Sequence, residues 1–163
     1  MNYFALDTSG FAKRYHLEIG SASVNALVLN LLNNRPKRLI ISSLIVAEVV
    51  SVLNRAQNRG QMQQRQLDDA LNLLDRESQA MTSLLINDLL IDSSHALILR
   101  HNINSADAIL LRQTIDFAQT VALAGHQPWL VASDSRLLRA AASEGLATLN
   151  PETFEPSQVA SLI

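Results

Sequence analysis

Four carboxylates stand out by where they fall in the chain. Asp7 ends the apolar run Y-F-A-L and opens the polar D-T-S-G, and Asp134 stands in the same relation to W-L-V-A in L-V-A-S-D-S-R-L-L. Asp107 lies in N-S-A-D-A-I-L-L, and Glu48 interrupts the apolar S-S-L-I-V-A-E-V-V-S-V-L, where an ionised carboxylate is costly to keep dry. Oxygen donors of this kind suit a hard divalent cation such as Mg²⁺, which takes few direct protein ligands and completes its octahedron with water. A cation so held lowers the pKa of a bound water and clamps the oxygens of an in-line phosphoryl displacement.

Each carboxylate also has a plainer use. Asp7 and Asp134 are suited to capping the helices that follow them, and Asp107 sits in a first turn where the macrodipole favours negative charge. Glu48 can begin a solvated stripe continuing through Ser51, Arg55 and Asn58 or Arg59. Leu44 and Ile45, one turn earlier, instead put Glu48 where a polar stripe meets the apolar body, the place for a cleft. The chemistry therefore depends on whether the fold brings all four to one place.

The elements that must position them follow from periodicity. Strands are expected at Tyr3–Leu6, Leu39–Ile41, Trp129–Ala132 and Leu146–Leu149. Val24, Leu27, Val28, Leu31 and Leu32 recur at helical spacing. A helix capped by Ser42 or Ser43 runs to Asn58-Arg59-Gly60, and Leu67, Ala70, Leu71 and Leu74 mark another after a polar Gln-rich start. Residues 82–92 read as strand or helix end, 93–100 as a short helix, 104–124 as a longer one, and 134–144 as a helix stopped by Gly145. Strands separated by helices predict a parallel sheet with helices on its faces, and ligands in such sheets bind beyond the carboxyl ends of the strands. Asp7 and Asp134 both fall there.

The 163 residues predict one domain, with 152–163 set apart as a C-terminal tail. Apolar residues at 48% and charged ones at 17% exclude a disordered chain. The net charge of -2 does not announce a nucleic-acid binder, although charge can be segregated by face. There is no cysteine, which removes disulfides and thiolate metal sites. With no apolar run long enough for a membrane span and no signal-peptide pattern, a cytoplasmic protein without a membrane partner is expected.

Other chemistries lack their motifs. His16, His95, His101 and His126 form no H-x-x-x-H or H-E-x-x-H pair, no phosphate-binding glycine loop is present, and Ser9 and Ser133 lack a nucleophile-elbow context.

The four motifs, L-D-T-S at Asp7, S-x-x-x-x-E-V at Glu48, A-D-A-I-x-L at Asp107 and S-D-S-R-L at Asp134, resemble the PIN-domain ribonucleases, in particular the VapC-type toxins of toxin-antitoxin pairs. The resemblance covers residues 1–151. It implies a three-layer α/β/α sandwich with a central parallel sheet, and a Mg²⁺- or Mn²⁺-dependent endoribonuclease site made of Asp7, Glu48, Asp107 and Asp134. Ser9 matches a small hydroxyl residue that orients ligands or water. Ala132 departs from the pattern, since many members carry Thr or Ser two residues before the last aspartate. Ser133 and Ser135 are the hydroxyls that remain nearby, and Ser133 is expected in a supporting role.

RNA must approach a negative pocket, and Lys13, Arg14, Arg55, Arg59, Arg136 and Arg139 follow the acidic residues along the chain. As a set they are expected to hold phosphates without reading sequence. The family resemblance further implies a protein antitoxin and a homodimer, the latter also motivated by the apolar helices Val24–Leu32 and Leu67–Leu74. The alternative is a non-catalytic PIN-like module that binds protein or RNA without cutting.

Overall fold

The computed structural model describes every residue, Met1–Ile163. Strand β1 (Asn2–Leu6) leads into the one-turn helix α1 (Thr8–Phe11), a 3-10 turn (Ala12–Arg14) and α2 (Ser21–Asn34). After β2 (Leu39–Ser42) come α3 (Ile45–Asn58) and α4 (Gln64–Ala80), then β3 (Thr82–Leu84). Helices α5 (Asp88–His101) and α6 (Ser105–Ala122) lead to β4 (Gln127–Val131), followed by α7 (Ser135–Ser143), β5 (Ala147–Leu149) and α8 (Pro156–Ser161).

All neighbouring strands pair in parallel, in the order β3-β2-β1-β4-β5. Because successive side chains of a strand point to opposite faces, each strand feeds two cores. Phe4, Leu6, Leu39, Ile41 and Val131 pack with α1 to α4 and α8 on one face. Ala5, Ile40, Leu130 and Ala132 pack with α5, α6 and α7 on the other. The result is the expected three-layer α/β/α sandwich with an all-parallel sheet. The chain proceeds from β1 to β2 on one side and later returns to β4 on the other. The carboxyl ends of β1 and β4 therefore form a topological switch point, where α/β sheets open a crevice.

Three expectations change in detail. Residues 82–92 divide into β3 and the first turn of α5, which starts at Asp88 and not at Ser93, because Asn87 caps it by accepting the Leu90 N–H at 2.9 Å. Neither Ser42 nor Ser43 caps α3. Ser42 belongs to β2, and Leu44 occupies the cap position without a side-chain bond. Residues 152–163 are not a detached tail. Val159 is fully buried in the first core, the Ser23 hydroxyl donates to the Phe154 carbonyl, and Arg38 donates to the Ile163 carbonyl at 2.8 Å. The Gln-rich stretch is a helix start, with Gln63 and Gln66 forming a reciprocal capping box.

Candidate active site

Asp7 is the residue after β1, and its backbone N–H continues the sheet by donating to the Val131 carbonyl of β4 at 2.9 Å. This join brings α1 close to the end of β4. A Cβ on Gly10 would stand 2.9 Å from the Val131 carbonyl oxygen, so the close approach needs glycine. The Asp7 side chain caps α1. Its Oδ2 accepts from the Ser9 N–H at 2.9 Å and from the Ser9 hydroxyl at 2.5 Å. The same hydroxyl accepts the Ser133 N–H at 2.9 Å and so links the ends of β1 and β4.

Asp134 caps α7, its Oδ1 accepting from the N–H groups of Arg136 at 2.7 Å and Leu137 at 3.2 Å. Asp107, in the first turn of α6, exchanges bonds with Asn104: its N–H donates to Asn104 Oδ1 at 2.9 Å, and its Oδ2 accepts from Asn104 Nδ2 at 2.8 Å. Glu48, in the first turn of α3, accepts the Thr8 hydroxyl on Oε2 at 2.7 Å.

The plain and the chemical readings thus hold together. In each carboxylate one oxygen is held by a neighbour, while the other forms no such bond within the chain. None of these second oxygens is sealed from water, although Asp7 as a whole is only 7% exposed.

The four carboxylates feel one another. Asp107 is pushed up to about 6, first by partial burial and then by the charges of Asp7 and Asp134, with a smaller contribution from Glu48. Burial raises the Asp7 carboxyl as well, opposed by the Ser9 bonds and a weaker Thr8 N–H contribution, and the Asp134 charge adds to the rise. Negative charge concentrated in this way is what a cation relieves. No three carboxylate or imidazole groups stand close enough together to hold a metal ion by themselves. Mg²⁺ takes one or two carboxylates directly and keeps several waters, so water would have to complete its coordination here.

The supporting residues differ from expectation. Ser9 holds Asp7 as expected. Ser133 takes part through its backbone N–H, while its hydroxyl is buried without a partner. Ala132 is fully buried in the second core, where a hydroxyl would meet apolar neighbours. The sequence reading missed Thr8 as the partner of Glu48. Its only signal is its place inside D-T-S.

Two of the expected RNA-binding cations are corrected. Lys13 is 4% exposed, its Nζ held by Glu152 at 2.8 Å and Glu18 at 3.2 Å. Arg14 is clamped by Glu77 at 2.7 Å and by Asn25 at 2.9 Å, with the Tyr15 hydroxyl on the same Glu77. The turn after α1 points both side chains inward, so neither is free for phosphate. Arg55 and Arg59 are exposed, but stand about 10 Å and 16 Å of helix beyond Glu48. Arg136 is exposed beside Asp134.

No protein-family model matches the sequence, and no curated protein does. Solved structures do share the architecture. PAE2754 from Pyrobaculum aerophilum is 16% identical, with 98% of this chain and 90% of that one covered at a TM-score of 0.61. FitAcB from Neisseria gonorrhoeae is 15% identical, covering 93% and 99% at 0.59. VapC20 from Mycobacterium tuberculosis, a sarcin-ricin loop cleaving toxin, is 17% identical, covering 84% and 94% at 0.56. At such identities the likeness is one of fold, and it agrees with the PIN-like sandwich.

Proposed function

We propose that the chain is a divalent-metal-dependent endoribonuclease acting as the toxin of a toxin-antitoxin pair. The observation that carries this reading is the mutual influence of four carboxylates from separate elements: the proton affinity of Asp107, raised first by partial burial, is raised further by the charges of Asp7, Asp134 and, least, Glu48. The fold shared with VapC20, an RNA-cleaving toxin, supports it.

Asp7, Glu48, Asp107 and Asp134 would hold Mg²⁺ or Mn²⁺ directly or through water. When bound, the metal supplies an acidified water and neutralises charge on the phosphodiester. The chain's own part is positioning and proton transfer. Ser9, Thr8 and Asn104 fix Asp7, Glu48 and Asp107, so the free oxygens keep their directions without reorganisation. One of the four carboxylates would also accept the proton of the attacking water.

A protein antitoxin and a second copy of the chain are the partners this reading implies. Helices α2 and α4 do not supply a spare apolar face for a dimer, because Val24, Leu27, Val28, Leu31, Leu67 and Leu74 are core residues. Leu29 is the exposed large apolar residue of α2, and Leu89 and Leu99 of α5 are more exposed still. No helix is long and apolar enough to cross a membrane.

The test is cleavage of structured RNA in Mn²⁺ by the wild type and by Asp7→Asn. Loss of cutting in the variant and in excess chelator is expected. Cutting that persists in chelator overturns the metal mechanism, and metal-insensitive RNA binding without cutting favours the non-catalytic module.

A further inference from the structure

We propose that the cleft between the end of α5 and the outer face of α7 holds backbone phosphates of the RNA strand as it leaves the acidic rim; this inference rests on the nuclease reading. The cleft has a volume of about 470 Å³ and is lined by Arg100, His101 and Asn102 on one side and by Arg136, Arg139 and Ser143 on the other.

Both walls are continuous with the site. Asn102 ends α5 in a left-handed conformation (φ 52°) and starts the short connection to α6, which carries Asp107. Arg136 is two residues beyond Asp134 on α7. A strand seated in the cleft therefore runs out beside the Asp107 and Asp134 side of the rim. Of the six cations expected to hold phosphates, Lys13 and Arg14 are turned inward and paired, whereas Arg136 and Arg139 line this cleft.

Only part of the cleft's charge is spent within the fold. Arg100 and His101 share one carboxylate, Glu144 Oε1, each at 2.7 Å, and Arg100 stays 61% exposed. The guanidinium groups of Arg136 and Arg139 make no hydrogen bond or ion pair in the chain. Local energetics run against their placement: they are like charges three residues apart on one helix, and Arg136 lies in a first turn, where the macrodipole disfavours cations. Local conflicts of this kind collect where a ligand resolves them. The one aromatic ring of the lining, the His101 imidazole, is largely buried and bonded to Glu144 Oε1 at 2.7 Å, and no Phe, Tyr or Trp stands there for a base to stack on. Its contacts are therefore to phosphate, independent of sequence.

The test is the salt dependence of binding of a fluorescent single-stranded RNA to the Asp7→Asn chain. Arg136→Ala and Arg139→Ala are each expected to weaken binding severalfold and to reduce the slope of log affinity against log salt by about one. Arg136→Lys should restore the slope, and Arg65→Ala, on the exposed side of α4, should not change it. In the cutting chain the same alanine variants should raise KM with kcat held. If the wild type cuts RNA in Mn²⁺ and both alanine variants keep its affinity and slope, the cleft inference falls while the nuclease reading stands. If the wild type neither cuts nor binds RNA, both fall. Loss of affinity for polyglutamate with RNA binding intact assigns the cleft to an acidic protein and overturns the proposal.

Discussion

The Thr8 hydroxyl donates to Oε2 of Glu48 at 2.7 Å, tying the first turn of α3 to the residue next to Asp7. This bond explains how a glutamate is tolerated among Ile45, Val46, Val49 and Val50. One oxygen is satisfied inside the fold, and the other is open to water. Glu48→Gln keeps an acceptor for Thr8 while removing one of four mutually repelling charges. The apo protein should melt at the same temperature or slightly higher, whereas the stabilisation by Mn²⁺ should largely vanish. For the wild type that stabilisation approaches ~2.7 kcal/mol at a hundredfold excess over the dissociation constant. Melting curves with and without Mn²⁺ check both statements, and an unchanged metal response would remove Glu48 from the site.

Removing the Ser9 hydroxyl should act on the site twice. Ser9→Ala deletes a donor to Asp7 and the acceptor of the Ser133 N–H. A stability loss of about 1 kcal/mol is expected, since the half-buried Ser133 N–H loses its partner. Asp7, already raised by burial, loses a bond that favours its ionised form. The acid limb of the activity profile should therefore move to higher pH, which a pH series of cleavage rates would show.

Apo stability should fall as pH rises through the range in which Asp107 ionises. Its carboxyl is raised to about 6 in the folded chain, against an ordinary value of 3.8. The folded form therefore binds more protons across that interval, and the stabilising contribution present below about pH 4 is lost as pH passes about 6. Asp7, also raised, adds in the same direction. Glu18, Glu144 and Glu152 are lowered and act oppositely at more acid pH. The decline should therefore be read as the difference between the wild type and Asp107→Asn in chelator. Mn²⁺ should reduce it, because the metal binds the ionised form. A wild type and variant with parallel pH curves would refute the coupling.

Arg14→Ala should behave as a core lesion. It leaves Glu77, only 8% exposed at its side chain, without its bidentate partner. Breaking a buried pair on one side costs about 3–5 kcal/mol. Denaturant unfolding should show that loss, while the salt dependence of RNA binding stays as in the wild type. A reduced slope would return Arg14 to the RNA surface.

Gly10→Ala should destabilise through crowding, because its Cβ would stand 2.9 Å from the Val131 carbonyl oxygen. About 1–3 kcal/mol is expected if backbone must shift. Cutting should fall as well, since the contact sets the distance between Asp7 and Asp134. A fully stable, fully active variant would show that the join between α1 and β4 has slack.

Periodicity determined much by itself. Alternating Phe4, Ala5 and Leu6, and likewise Leu39, Ile40 and Ile41, mark strands buried on both faces, and the helical spacing of Val24 to Leu31 marks a core helix. Strand ends follow from where apolar runs meet D-T-S and S-D-S, so the placement of Asp7 and Asp134 beyond parallel strands was legible from residue types alone. Two caps were legible too, because Asn104 and Asp134 carry their partners within three residues, whereas the cap expected at Ser42 or Ser43 does not form. What remained open depends on contacts between residues far apart in sequence. Thr8 meets Glu48 across 40 residues, and the Ser9 hydroxyl meets Ser133 across 124. Lys13 and Arg14 have the composition of a phosphate clamp, but Glu152 and Glu77, brought in by chain folding, turn them inward. Val159 enters the core only because α8 returns to α2. Local spacing determines which face of an element a residue occupies, whereas the partner on that face is set by sheet order and helix packing, and only the tertiary structure decides whether a charge is spent inside the fold or left for a ligand.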